Sequence, residues 1–483
     1  MTHSPHPDIP SSLPSSPAGG HRPESPSPAG TGAAGGATGR RTTAARIGGL
    51  DIARGIAVLG TLGTNIWLFS HPAGMLGSLL DPFAGLRPGA ETLAYQLLST
   101  LTNGKFLALL MMMFGIGVTL QYAAWQRRAA RAEDRPVEGV RRRGWLRTFA
   151  PRAALLFVDG LVNFLLVAEF DILMGYAFTG FVVAAIIATS PRTARIWAWI
   201  AGAVHAALIL LLSASLLLFP EAAGIADGRP ADSAAAWPLW NGINPYREAG
   251  FFELALFRLD YAVMFRAEPL LTFAMGVCLF IVGARLYDAG IFDSAGARLR
   301  RRAMLLGAAA VPADVALGVI GSPAAVLAQR YLTATLVAVG LLALIAHLTA
   351  PRDGAAVERP RTGIPGAGLF AAVGRMSLTC YVGQNLVAGA LFYGWGLDLV
   401  GRFPDQRLLI TVLGFVAVLT TVVAFILTWQ RLVRGPPPAG RSSGSPTPRS
   451  SACADPPLPQ DGPGARTVRR RPSRRSGPHG PGG

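Results

Sequence analysis

LDIARGIAVLGTLGTNIWLFS, residues 50–70, places an Asp and an Arg in the first turns of an apolar run long enough to cross a bilayer. Charges in such a helix cost about 2.5–3.5 kcal/mol each at the helix centre on insertion scales. A chain that keeps Asp51 and Arg54 there uses them or pairs them. The stretch therefore makes the membrane the solvent before any other residue is read.

Composition agrees. The chain has 483 residues, 51% hydrophobic and 15% charged, with a mean hydropathy of +0.39. Soluble proteins average roughly 25% charged residues. Apolar runs of about 20 residues recur, which exceeds a core helix and excludes a soluble bundle. The net charge of +17 would point to nucleic acid in a soluble protein. Here the positives cluster between apolar runs and in the tail, as membrane topology requires, so nucleic-acid binding is not expected. Cys278, Cys380 and Cys453 form no CxxC, and the His residues show no HExxH spacing. Neither a metal nor another cofactor is expected.

The pattern predicts an all-α, polytopic transmembrane bundle of about ten spans with disordered terminal tails. The expected spans are roughly 47–70, 105–124, 152–168, 171–190, 196–219, 268–287, 303–322, 327–349, 369–396 and 407–429. Residues 1–45, rich in Pro, Ser, Gly and Ala, form the first tail, and no cleavable signal peptide is expected there. The membrane domain covers 46–434, with a C-terminal region from about 268, and 435–483 form an Arg- and Pro-rich tail. Arg-rich loops alternate with loops poor in basic residues, which orients both termini to the cytoplasm. The loop 220–267 mixes Trp237, Trp240, Phe251 and Phe252 with charges and suits an interfacial amphipathic helix or a solvated connector.

Counting 1.5 Å per residue gives the depth of each polar side chain. Asp51, Arg54, Asp159 and Arg375 fall at one level near the cytoplasmic side, where two Asp and two Arg can neutralise one another. Whether that layer is functional or simply paired is open at this stage. Asn65, Lys105, Glu169, Asp171, Glu268, Gln384 and Asn385 fall near the opposite side, with Lys105 and Asp171 as an expected pair. Asp314, two residues after Pro312, falls near the midplane of its span, or nearer water if the span is shifted. His205 and His347 read first as packing residues. Gly115, Gly117, Gly175 and Gly180 permit close helix contact.

Three stretches together resemble the YeiB-like family of bacterial multi-pass membrane proteins, domain of unknown function 418. They are LDIARG at 50–55 followed by Asn65, GKFLALLMMMFGIGVTL at 104–120, and GRMSLTCYVGQN at 374–385. The hairpin EFDILMGYA at 169–177 fits as well. The resemblance implies a bacterial inner-membrane protein connected with transport of an unassigned solute. It also implies a distant similarity to membrane acyltransferases, which place a His about eleven residues after the motif's Arg. Asn65 stands at that position, Asn163 replaces a further family His, and an amide cannot act as a general base. Past Gly435 the chain departs from the family pattern into low complexity, read as a lineage-specific tail or a shifted reading frame.

Transport is the leading expectation. A group-transfer enzyme acting on an envelope lipid or glycan is the second, with Arg54 and Arg375 as anchors for an anionic donor. An accessory envelope protein with structural polar pairs is the third. The expected partners are membrane lipids and a small-molecule or lipid-linked substrate.

Overall fold

In hydrocarbon every backbone N–H and C=O needs a partner within the chain, so apolar runs of this length close on themselves as helices. The computed structural model describes residues 32–131, 138–219, 225–226, 229–230, 240–350 and 363–434. Most of both expected tails, and Trp237, lie outside them.

The first helix, α1 (Gly32–Phe69), begins upstream of the expected start near residue 47. Short α2 (Gly74–Leu80) and α3 (Ala90–Thr102) lead to α4 (Lys105–Arg131), then α5 (Glu138–Leu166), α6 (Leu173–Ile187) and α7 (Pro191–Leu218). A two-residue antiparallel ladder pairs Ile225–Ala226 with Arg229–Pro230. An arm of short helices follows: α8 (Pro245–Glu248), α9 (Phe251–Asp260), α10 (Ala262–Phe265) and α11 (Ala267–Leu271). It runs into α12 (Phe273–Asp288) through a 41° bend. Next come α13 (Ala297–Ile320), α14 (Pro323–Ala328), a π-helical turn at Gln329–Thr333, and α15 (Ala334–Thr349). The chain ends with α16 (Ala367–Arg375), α17 (Ser377–Phe392), α18 (Leu399–Arg402) and α19 (Arg407–Arg434).

Among the described residues, seven helical stretches are long and apolar enough to cross a membrane, or eight if the bent pair before and after Thr272 is one span. Two expected spans take a shorter form. The fourth is the 15-residue α6, and the ninth is split at Met376 into α16 and α17. The expected interfacial helix in the long outer loop corresponds to α9. It buries Leu254, Phe257 and Arg258 and leaves Phe252, Leu256 and Leu259 exposed.

Local chemistry sets the turns. Gly321 closes α13 in the left-handed region at φ +66°, and the Ser322 hydroxyl accepts the Ala325 amide to open α14 with Pro323 in its first turn. Several helix crossings are tight enough to exclude a side chain. A Cβ on Gly55 would meet the Phe370 carbonyl, and one on Gly374 the Asp51 carbonyl, so α1 and α16 touch backbone to backbone. Gly115 and Gly283 do the same for α4 and α12. Of the glycines read as contact points, Gly117 has nothing within 4 Å and Gly180 only ordinary contacts.

Candidate functional site: an ion-paired belt beside a cleft

Four cations, Lys105, Arg258, Arg266 and Arg330, gather inside the bundle with four carboxylates, Glu169, Asp171, Glu268 and Asp314. Lys105 Nζ lies 2.6 Å from Asp314 Oδ2, with Asp314 only 1% exposed. The expected Lys105–Asp171 pair does not form. Asp314 also lies close to the end of α13, within about two turns of Ile320, rather than midway along its span. That position puts it level with Lys105, the first residue of α4.

Lys105 also donates to the Thr100 carbonyl at 2.6 Å, and Thr333 Oγ1 donates to Asp314 Oδ1 at 3.0 Å. Gln329 Nε2 donates to the Asp314 carbonyl, while Asn103 Nδ2 donates to Gln329 Oε1 at 3.0 Å. Arg330 then gives one nitrogen to Asn103 Oδ1 at 2.8 Å and another to Glu268 Oε1 at 2.7 Å. The Tyr331 hydroxyl donates to the same Glu268 oxygen at 2.8 Å. A single connected network therefore joins the α3–α4 junction, α11, α13 and the π turn. The π turn presents consecutive Gln329, Arg330 and Tyr331, with Gln329 meeting Asn103 and Asp314 and the other two sharing Glu268. Such single-turn insertions recur at functional sites. The neighbouring His205 contacts the Tyr331 carbonyl at 3.1 Å.

A second network holds the non-helical turn between α5 and α6. Arg258 bonds Glu169 at 3.2 Å and also donates to the Leu165 and Val167 carbonyls. Arg266 donates to the Glu169 and Asp171 carbonyls and lies over the Phe164 ring at 4.1 Å. Two arginines from the α9–α11 arm thus satisfy carbonyls that a turn in apolar surroundings would otherwise leave bare. The Asp171 carboxylate accepts from Asn163 Nδ2 at 2.8 Å and from the Met174 amide at 3.2 Å. Burial drives the Asp171 carboxyl up to about 6, against those hydrogen bonds and the field of Arg266.

The remaining expected residues divide. Asn65 donates to Asn385 at 3.3 Å, and Gln384 donates to Thr61 and to the Val58 carbonyl, which ties α17 to α1. Arg54 contacts Asp51 at 3.4 Å and the Gly374 carbonyl at 3.4 Å, with Arg375 within electrostatic reach of Asp51. Asp159 does not join that layer. It is exposed on α5, flanked by exposed Phe157, Val158, Leu161 and Val162, because α5 packs on α6 and α9 and not on α1.

Arg258, Arg266, Arg330, Gln329 and Asn103 were not singled out as site residues in the sequence. The available signal for Arg330 is an Arg-Tyr pair near the start of an apolar run. For Arg258 it is an Arg amid aromatics in the outer loop. His71 was missed as well. It is 1% exposed, contacts the Asp81 carbonyl at 2.8 Å and accepts the Ala73 amide at 3.1 Å. Burial lowers its imidazole to about 3, helped by Arg407 and opposed by the Asp81 carbonyl. It is therefore a neutral structural residue at physiological pH. Arg407, also 1% exposed, clamps the Trp67, Pro82 and Ala84 carbonyls.

Beside the belt lies a small cleft, open at its mouth. Its walls include Phe170, Tyr176, Phe265 and Phe273, and its charged liners are Asp171 and Glu268. Among the described residues, no group of three or more His, Cys, Asp or Glu is placed to hold a metal ion.

Helices of spanning length around a buried, ion-paired interior define a multi-pass membrane protein. Residues 286–436 match the family described as Protein of unknown function (DUF418). The "Uncharacterized protein YxaH" of Bacillus subtilis (strain 168) is 26% identical over 427 residues, covering 80% of this chain and 91% of that one. The C-terminal part of the chain is similar to that family, and the chain is a distant homologue of that Bacillus protein. No solved structure matches it.

Proposed function

We propose that the protein moves a small polar or charged solute across the bacterial inner membrane, using the ion-paired belt as the pathway's interior. One observation carries this reading: interrupted helices meet at the same buried charges. The chain breaks at Asn103–Gly104 beside Lys105, bends by 41° after Glu268, and adopts a π turn at Arg330. Interrupted helices at membrane depth are tolerated where they line a cavity or a site, and transporters place solute sites at such breaks. The proposed topology has ten crossings, with α6 and the α16–α17 pair each crossing once and both termini cytoplasmic.

The group-transfer reading gains no comparable support. Asn65 and Asn163, at the two positions where the acyltransferase-like pattern has His, each donate a hydrogen bond within the bundle. The transport reading is tested by reconstituting the purified chain into liposomes loaded with mixed amino acids, amines and organic acids. The wild type is expected to release at least one solute faster than protein-free liposomes, and folded Asp314→Asn to release it more slowly. Equal release from wild-type and protein-free liposomes for every solute overturns the reading.

A further inference from the structure

Among the four carboxylates of the belt, three have a cation within ion-pair distance: Glu169 with Arg258, Glu268 with Arg330 and Asp314 with Lys105. Asp171 has none among the described residues. Its oxygens are held by a neutral amide, Asn163, and by the Met174 and Leu173 N–H groups at the start of α6. The nearest cation, Arg266, spends its terminal nitrogens on the Asp171 and Glu169 backbone carbonyls and its face on Phe164, and its Nε has no partner. A carboxylate 1% exposed, which feels the field of Arg266 but forms no direct ion pair, is left open to completion by a ligand or a proton.

Asp171 lines the cleft. The other charged liner, Glu268, already receives Arg330 and the Tyr331 hydroxyl on one oxygen, so its charge is met within the protein. The remaining walls come from Leu107, Met111, Phe170, Tyr176, Phe265 and Phe273, with Thr179 and Thr272 as neutral polar groups. No cationic side chain lines the cleft. Aromatic faces beside an unpaired carboxylate suit a positively charged group attached to an apolar body.

We propose that this cleft binds an organic cation, an ammonium group carrying an apolar body, with Asp171 as its counter-ion. This deepens the transport reading by naming the class of solute. The groups that face Asp171 are Asn163 from α5, Tyr176 from α6, Arg266 from the arm, Glu268 from α11 and Tyr381 from α17. Arg266 opposes any added cation, so the site favours no more than a single positive charge, held on Asp171 with its apolar body against the aromatic walls. A proton competes for the same carboxylate, so the ammonium and the proton exclude each other.

The test is calorimetric titration of the purified full chain in nanodiscs with benzylammonium, using benzyl alcohol as the uncharged control. Binding is expected at about pH 7.5 and about tenfold weaker near pH 5, where a carboxyl titrating around 6 is mostly neutral. Folded Asp171→Asn should bind at least tenfold more weakly, and benzyl alcohol should not compete. No binding at millimolar benzylammonium, or binding unchanged by acid, overturns the proposal. If Asp171→Asn does not fold, the wild-type acid profile and the alcohol control still decide. Benzylammonium binding with no solute release from liposomes removes the transport reading and leaves the amine site standing. Release of some solute without amine binding does the reverse.

Discussion

Lys105 and Asp314 show what a buried charge demands of its partner. Lys105 Nζ meets both the carboxylate and the Thr100 carbonyl, and Asp314 also accepts from Thr333. Removing one ion leaves the other buried and uncompensated, which costs about 3–5 kcal/mol, whereas removing both can be close to neutral. Lys105→Met and Asp314→Leu should therefore each lower the unfolding free energy by about that amount. The double variant should recover most of it in a thermal melt. Additive losses would show that the two residues are not coupled in the folded protein.

Two groups outside the spanning helices set opposing responses to acid. The lowered His71 contributes stability that is whole above about 6.5 and is lost as pH falls toward 3. The raised Asp171 works the other way: its contribution is whole below about 3.8 and is lost as pH rises through about 6. Between about pH 6 and 4 each shifts stability by about 1.4 kcal/mol per pH unit, with opposite signs. On acidification across that window, His71→Gln should gain stability relative to wild type and Asp171→Asn should lose it. Melting temperatures at several pH values check both. Parallel profiles for all three proteins would contradict the assignment of these two groups.

At the scale of the element, the break between α3 and α4 depends on Gly104. It sits at φ +75°, and a Cβ there would meet the Arg330 carbonyl of the π turn. Ala at this position carries both a left-handed backbone penalty of about 1 kcal/mol and a clash at the centre of the network. Gly104→Ala should destabilise the protein by about 2 kcal/mol or more. It should also reduce solute release more than Gly117→Ala, whose Cβ meets nothing. Equal effects of the two substitutions would separate the break from function.

What was legible in the sequence follows from the range of the forces involved. Apolar run length is local, so α1, α4, α7, α13 and α19 could be read directly. LDIARG was legible because Arg54 finds Asp51 three residues away. Four members of the belt, Lys105, Glu169, Asp171 and Glu268, could be grouped from the sequence, but its arginines and its pairs could not, since Arg330 meets Asn103 across 227 residues and Arg258 meets Glu169 across 89. Depth counting alone cannot rotate a helix, which is why Asp159 was placed with Asp51 although α5 turns it outward. The π turn has no local signature either. Its Gln329, Arg330 and Tyr331 are held by partners on other elements.

At the scale of the whole molecule, topology decides which compartment each charge layer faces. The α1–α16 layer, with Arg54 and Asp51, lies toward the Arg-rich N-terminal flank, and the belt is formed where α4 starts and α13 ends. If both termini are cytoplasmic, as the proposed topology has it, the cleft at Asp171 lies toward the opposite compartment. The placement of the C-terminus rests on the alternation of basic loops, which holds along the whole chain only if α6 and the α16–α17 pair each cross the membrane. Counting neither as a crossing leaves the C-terminal end of α19 on the same side as before. Counting only one moves it across. A fluorescent or phosphatase reporter after Arg434 should report the cytoplasm. A second reporter in the loop after Thr349 should also report the cytoplasm, because nothing between the two sites changes side if both α16–α17 and α19 cross. A reporter after Thr349 in the cytoplasm with one after Arg434 outside would show that α16–α17 re-enters instead of crossing. The ten-crossing topology would then be wrong, while the orientation of the cleft, which is set by the helices before Thr349, would stand.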